Sequence, residues 1–150
     1  MELILWRHCD SAPGVPDELR PLTPLGHKQA ATMARWLNER LPAGCRIIVS
    51  PALRAQQTAH ALGRRFETVP QIGSGASVAA VLEAVHWPQA REPALVVGHQ
   101  PTLGRLASFL LTDDDTDRTL RTGAVCWLVS AAHREAAAAT LKVAIGPDII

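Results

Sequence analysis

The sequence predicts an α/β layered domain on a mainly parallel sheet. Two observations carry this. Short apolar, β-prone runs alternate with segments of helical periodicity over the first two thirds of the chain. The run Ala94–Gly98 is almost wholly apolar, the pattern of a strand buried on both faces in a parallel sheet. At 150 residues the chain suits one domain around one core.

The elements follow in order. Glu2 to Trp6 reads as a buried first strand that stops at Arg7-His8. Pro13, Gly14, Pro16 and Pro21 then keep a loop irregular. Thr23 caps a helix with Pro24 at its first position, and Ala30, Met33, Ala34, Leu37 and Leu41 give that helix one apolar face. Pro42 and Gly44 end it. Arg46 to Val49 is a second strand, and Ser50-Pro51 repeats the cap-plus-proline device to open a helix reaching about Arg65. Its inward residues are Ala55, Ala59 and Leu62.

Thr68 to Pro70 reads as a short strand, Gly73 to Ser77 as a loop, and Val78 to Trp87 as a helix ended by Pro88. The Ala94 strand leads through His99-Gln100-Pro101-Thr102 into a helix to about Leu111. Asp113 to Asp117 is a solvated turn; it lacks the glycine and glutamate of a calcium loop, with Arg118 and Ala124 in those places. Val125–Val129 and Thr140–Ile145 are two more strands, and the alanine-rich Ala131–Ala139 between them stays open between helix and loop. Trp6, Trp36, Trp87 and Trp127 belong to the core or its edge.

Composition narrows function by exclusion. Hydrophobic residues make up 47% and charged residues 19%, a folded composition, and the formal net charge is +1. Such balance excludes a broad nucleic-acid-binding surface but leaves room for one small anion site. Of the cations, 13 are Arg and 2 are Lys. Arg offers planar donor pairs for oxyanions, so each one is judged by its position. Three cysteines without CxxC spacing argue against a disulfide framework or a structural zinc site. Neither a signal peptide nor an apolar run of about 18 residues is visible, so the expectation is a cytoplasmic protein with no membrane partner. Monomer is the default.

Ligands of open α/β sheets bind beyond the carboxyl ends of the strands. Arg7-His8-Cys9-Asp10 follows the first strand, Ser50 through Arg54 the second, and His99-Gln100-Pro101 the Ala94 strand. Two histidines and two arginines therefore converge on one sheet edge, beside helix N-termini that add N–H donors. Phosphate is the natural anion for such a set. Guanidinium pairs hold phosphoryl oxygens, and a neutral imidazole is a competent nucleophile. His27, His60, His86 and His133 have no such partners and read as exposed or satisfied histidines.

At three stretches the chain resembles the histidine phosphatase superfamily, the phosphoglycerate-mutase-like fold. They are Leu5-Trp6-Arg7-His8-Cys9, Val49 through Ala59 with Ser50-Pro51-Ala52-Leu53-Arg54, and Val96 through Leu103 with Gly98-His99. Arg20-Pro21-Leu22-Thr23-Pro24-Leu25-Gly26 and the small size look like the SixA-type phosphohistidine phosphatases. The likeness runs from Met1 to about Leu111 and more weakly to the end. It implies a three-layer α/β/α sandwich and a metal-independent, cofactor-free hydrolase. By resemblance, His8 is the phosphate-accepting nucleophile, Arg7 and Arg54 clamp the phosphoryl oxygens, His99 stabilises the transition state, and Arg20 adds a phosphate contact.

Two departures bear on activity. Cys9 stands where the family has glycine, and a β-carbon there is expected to strain the turn or narrow the pocket. A cysteine nucleophile is the weaker reading, because Val15 occupies the place of the arginine that cysteine phosphatases need six positions on. The stretch Gln71–Ser77 also lacks the carboxylate with which larger relatives protonate an alcohol leaving group. Imidazole, with a pKa near ~6.5, leaves without such help. The expected substrate is therefore phosphohistidine on a partner protein. The alternatives are a small-molecule phosphomonoesterase with Glu83 or Asp10 as acid, and a non-catalytic phosphoprotein-binding module inactivated by Cys9.

Overall fold

Apolar residues alternate between the two faces of one six-stranded sheet, and helices cover both. In the computed structural model, which describes residues 1–114, 116–131 and 139–150, the strands are β1 (Glu2–Arg7), β2 (Arg46–Val49), β3 (Glu67–Thr68), β4 (Ala94–Gly98), β5 (Val125–Ser130) and β6 (Ala139–Ile145). The helices are α1 (Pro24–Asn38), α2 (Leu53–His60), α3 (Val78–Val85) and α4 (Thr102–Thr112). Residues 132–138, where the open Ala131–Ala139 connection and His133 fall, and Asp115 lie outside the described residues.

The sheet runs β3-β2-β4-β1-β5-β6. Its first four strands are parallel, whereas β5 pairs antiparallel with β1 and β6 antiparallel with β5. The result is the expected mainly parallel α/β/α sandwich, finished at one edge by an antiparallel pair. Ile4, Trp6, Leu95, Val97, Ile47 and Trp127 face α1 and α2 on one side. Leu3, Leu5, Val96, Ile48 and Leu128 meet α3 and α4 on the other. This period of two is what a strand buried on both faces produces. Among the described residues no helix is long and apolar enough to cross a membrane.

Thr23 caps α1 as expected, its side chain accepting from the Gly26 N–H at 3.0 Å. A Cβ on Gly26 would lie 2.0 Å from the Asp10 carbonyl oxygen, so glycine lets α1 press against the segment leaving β1.

Three helices are shorter than the sequence reading, α1 among them, which ends at Asn38 before Leu41. α2 begins at Leu53 and ends at His60, not Ser50 to Arg65, because Ala52 is the capping residue and Ser50 is engaged elsewhere. α3 ends at Val85, short of Trp87, where His86 turns into the left-handed region at φ 56°. At the end of the acidic stretch, Asp117 does more than meet solvent. Asp117 accepts from Gln100 Nε2 at 2.9 Å, while Gln100 Oε1 takes the Gly104 N–H at 2.7 Å in the first turn of α4.

Candidate active site

β1, β2 and β4 are neighbours, so their carboxyl ends bring Arg7 and His8, the start of α2, and His99 to one place. The backbone at the end of β1 is held on both sides. The His8 N–H donates to the Gly98 carbonyl, and the Gly123 N–H donates to the His8 carbonyl. The two imidazoles lie 5.2 Å apart between ring centres and tilt by 57°. Both are almost fully buried.

Arg54 joins them. Its side chain is 3% exposed and rises from the first turn of α2. Nε donates to His8 Nε2 at 3.3 Å, and Nη2 lies 3.5 Å from His99 Nδ1. One edge of the guanidinium therefore spans both rings. The end of the group faces Asp17, with Nη1 on the backbone carbonyl at 2.8 Å and Nη2 on Oδ2 at 3.0 Å.

The hydrogen bonds fix the form of His8. Nδ1 lies 2.8 Å from the Cys9 carbonyl, which only accepts, so Nδ1 carries the proton and Nε2 keeps its lone pair. Burial pushes His8 down to about 4, reinforced by the charges of Arg54, Arg7 and Arg20 and opposed by the Cys9 carbonyl. Burial also takes His99 down to about 3, with His8 and Arg54 adding to the effect. At neutral pH both rings are uncharged.

Arg7 donates from Nη1 to the Leu120 carbonyl at 2.7 Å, while its buried Nε has no hydrogen-bond partner among the described residues. A buried, unpaired donor is costly, and an anion seated there would satisfy it. Arg20 makes no bond to either histidine. It reaches the cluster through Asp17, whose Oδ1 accepts from Arg20 Nε at 3.0 Å.

The structure thus brings Arg7, His8, Arg54 and His99 together and sets Arg20 at the rim. Sequence reasoning missed Ser50, Asp17 and Asp117. Ser50 Oγ is 2.7 Å from His99 Nε2. Ser50 stands directly after β2, so the strand-end rule that found the other residues also covers it. Asp17 carries one signal, its place three residues before Arg20 in a turn; Asp117, whose charge acts on Arg7, carries none.

The expectation for Cys9 needs correcting. Its thiol is buried in the core, 0% exposed, packed toward Gly123, and its backbone φ is not positive. The side chain packs into the core, and its turn needs no left-handed backbone. Its N–H donates to Thr58 Oγ1 at 3.0 Å, and burial pushes the thiol up to about 12, far from a thiolate nucleophile. Asp10 accepts from the Thr23 hydroxyl at 2.6 Å and Glu83 lies on the exposed side of α3, so neither stands in the cluster. Among the described residues no group of three or more His, Cys, Asp or Glu is arranged to hold a metal ion.

Comparison with known proteins adds independent findings. The family model described as histidine phosphatase superfamily (branch 1) matches residues 3–77. The chain is 32% identical over 120 residues to the phosphohistidine phosphatase SixA of Escherichia coli K12, covering 73% of this chain and 74% of that protein. It is 37% identical over 119 residues to an uncharacterized protein of Mycobacterium tuberculosis H37Rv, covering 74% and 73%. Among solved structures, the protein histidine phosphatase SixA complexed with tungstate superposes with a TM-score of 0.83 at 26% identity, over 99% of both chains. A SixA-like phosphohistidine phosphatase from Nakamurella multipartitia gives 0.82 at 28% identity, over 97% of this chain and 95% of that one.

Proposed function

The chain belongs to the histidine phosphatase superfamily and is a phosphatase, and we propose that it removes phosphate from phosphohistidine on a partner protein through a phosphoenzyme at His8. One observation carries the reading: the Arg54 edge spans the His8 Nε2 lone pair and His99 Nδ1, where a phosphoryl group would sit between the rings. A tetrahedral oxyanion, tungstate, accompanies the similar SixA structure.

In the first step His8 Nε2 attacks phosphorus, the substrate P–N bond breaks, and a bond from phosphorus to His8 forms. The departing imidazole leaves neutral when its other ring nitrogen carries the proton. Water then attacks phosphorus, the bond to His8 breaks, and inorganic phosphate leaves. Arg54 through Nε and Nη2, and Arg7 through its unpaired Nε, hold the equatorial oxygens as charge develops. His99 donates to the transferring group. Arg20 stays at the rim and orders Asp17, or contacts phosphate when the loop moves. The chemistry needs neither metal nor cofactor. We read the chain as one domain, acting as a cytoplasmic monomer.

The preference for P–N over P–O cleavage rests on the acids present. Gln71–Ser77 has no carboxylate, and Asp17, the acid on Arg54, is held below the usual carboxylate range by its bonds to Arg54 and Arg20. An ionised carboxylate protonates no alkoxide. The inward, unstrained Cys9 removes the ground for an inactive binding module.

The test pairs a phosphoramidate with an alkyl phosphate. We expect much faster turnover of the phosphoramidate, with acid-labile, base-stable phosphate trapped on the wild type and none on His8→Ala. Rapid alkyl ester hydrolysis would overturn the substrate class; absence of trapped phosphate would overturn the mechanism.

A further inference from the structure

Ser50 closes β2 with its side chain wholly buried. Its Oγ takes the Ala52 N–H at 3.2 Å and lies 2.7 Å from His99 Nε2. On the opposite side of that ring, Nδ1 faces Arg54 Nη2 at 3.5 Å. A guanidinium N–H only donates, so in the free protein Nδ1 offers a lone pair and the ring proton sits on Nε2, donated to Ser50.

A phosphoryl oxygen reverses the demand. It only accepts, so to contact it His99 must carry its proton on Nδ1, and Nε2 then needs a donor. Burial keeps this ring neutral, with one proton to place. A hydroxyl serves either way. With both lone pairs it accepts from Ala52 and Nε2; with one lone pair and its hydrogen it accepts from Ala52 and donates to Nε2. Aspartate at this place would accept only, and alanine would do neither.

We propose that Ser50 is a positioning residue that supports both tautomers of His99, accepting from Nε2 in the empty site and donating to it when a phosphoryl group binds. The inference rests on the reading of His99 as a contact to the transferring group. It adds that the proton changes nitrogen on binding and that Ser50 makes both states available.

The experiment is nitrogen NMR of ¹⁵N-histidine-labelled full-length protein, free and with orthovanadate, for wild type, Ser50→Thr and Ser50→Ala. The wild type should show the His99 proton on Nε2 when free and on Nδ1 with vanadate, and Ser50→Thr should keep that pattern. Ser50→Ala leaves Nε2 without a partner, so the free protein should show a mixture of the two tautomers in place of the single Nε2–H form, and kcat should fall by about tenfold to a hundredfold with KM little changed. A proton on the same nitrogen in both wild-type states overturns the switch. Wild-type spectra in Ser50→Ala overturn the role of Ser50, even if activity falls, because the loss is then merely structural. If vanadate does not bind the wild type, the phosphoryl seat and the switch both fail. The free-state spectra still decide whether Ser50 holds the Nε2 proton.

Discussion

Asp17 holds the end of the Arg54 guanidinium and leaves its side edge to the two histidines. The backbone carbonyl and Oδ2 of Asp17 take Nη1 and Nη2 at 2.8 and 3.0 Å, while Nε and Nη2 remain on the imidazole side. Arg54 lies almost out of contact with water, so its charge needs a counter-ion, and Asp17 supplies one without covering the edge where phosphate would bind. Arg20 on Oδ1 fixes the carboxylate in turn.

Removing that carboxylate should therefore separate binding from turnover. In Asp17→Ala the net charge beside the anion seat rises, and inorganic phosphate should inhibit several-fold more strongly. The Arg54 fork loses its anchor at the same time, so kcat should fall. Product-inhibition kinetics at fixed ionic strength check this. Weaker phosphate inhibition would mean that Asp17 helps form the anion seat and does not merely balance Arg54.

The depressed His8 value sets a pH profile. The reactive form is neutral, and burial with the nearby guanidinium charges keeps it neutral down to about 4. After allowance for the ionisation of the substrate, kcat/KM should stay level from pH 8 to about 5 and fall with a midpoint near 4. A midpoint near 6.5 would show His8 titrating as a solvated imidazole.

The same shifts make a stability statement. Unfolded histidine takes its proton near pH ~6.5, whereas folded His8 and His99 resist to about 4 and about 3. Between those values the unfolded chain binds more protons, so stability is fullest above pH ~6.5 and declines as pH falls. Removing one of the two should flatten the decline. Near pH 5, denaturant unfolding of His8→Asn should show a slope smaller by roughly one proton, about 1.4 kcal/mol per pH unit. Equal slopes in the two proteins would rule out a buried, neutral His8.

These electrostatic couplings mark the limit of what local sequence conveys. The apolar runs at Leu3–Trp6 and Ala94–Val97 announce strands because burial on both faces demands them, and His8 and His99 follow at their ends. Thr23-Pro24 announces a helix start because capping is local. Ser50-Pro51 carries the same local signature, yet the hydroxyl is drawn 49 positions along the chain to His99, a partner chosen by the neighbouring β2 and β4. Asp17 finds Arg54 37 positions away, across the proline-rich loop. The direction of Cys9 was equally hidden, since only the packed fold shows that the residue after His8 points at Gly123.

That direction makes Cys9 a test of where the family's glycine matters. A Cβ on Gly123 would lie 3.3 Å from Cys9 Sγ and 3.2 Å from Pro147 Cγ, and Gly123 has φ +76°, so thiol and glycine pack as a pair beneath the cluster. Gly123 also accepts from Trp6 Nε1 at 3.0 Å through its carbonyl. Cys9→Gly removes only core packing and should cost about 1–2 kcal/mol in denaturant unfolding. kcat and KM for a phosphoramidate should remain within about twofold of wild type, the scatter left by a change that touches none of His8, Arg54 and His99. Gly123→Ala should be the more damaging change, because it forces a side chain into the left-handed region against the thiol and shifts the carbonyl that holds Trp6. If Cys9→Gly instead raises turnover strongly, the thiol restrains the turn bearing His8, and the assignment of Cys9 to the core alone is wrong.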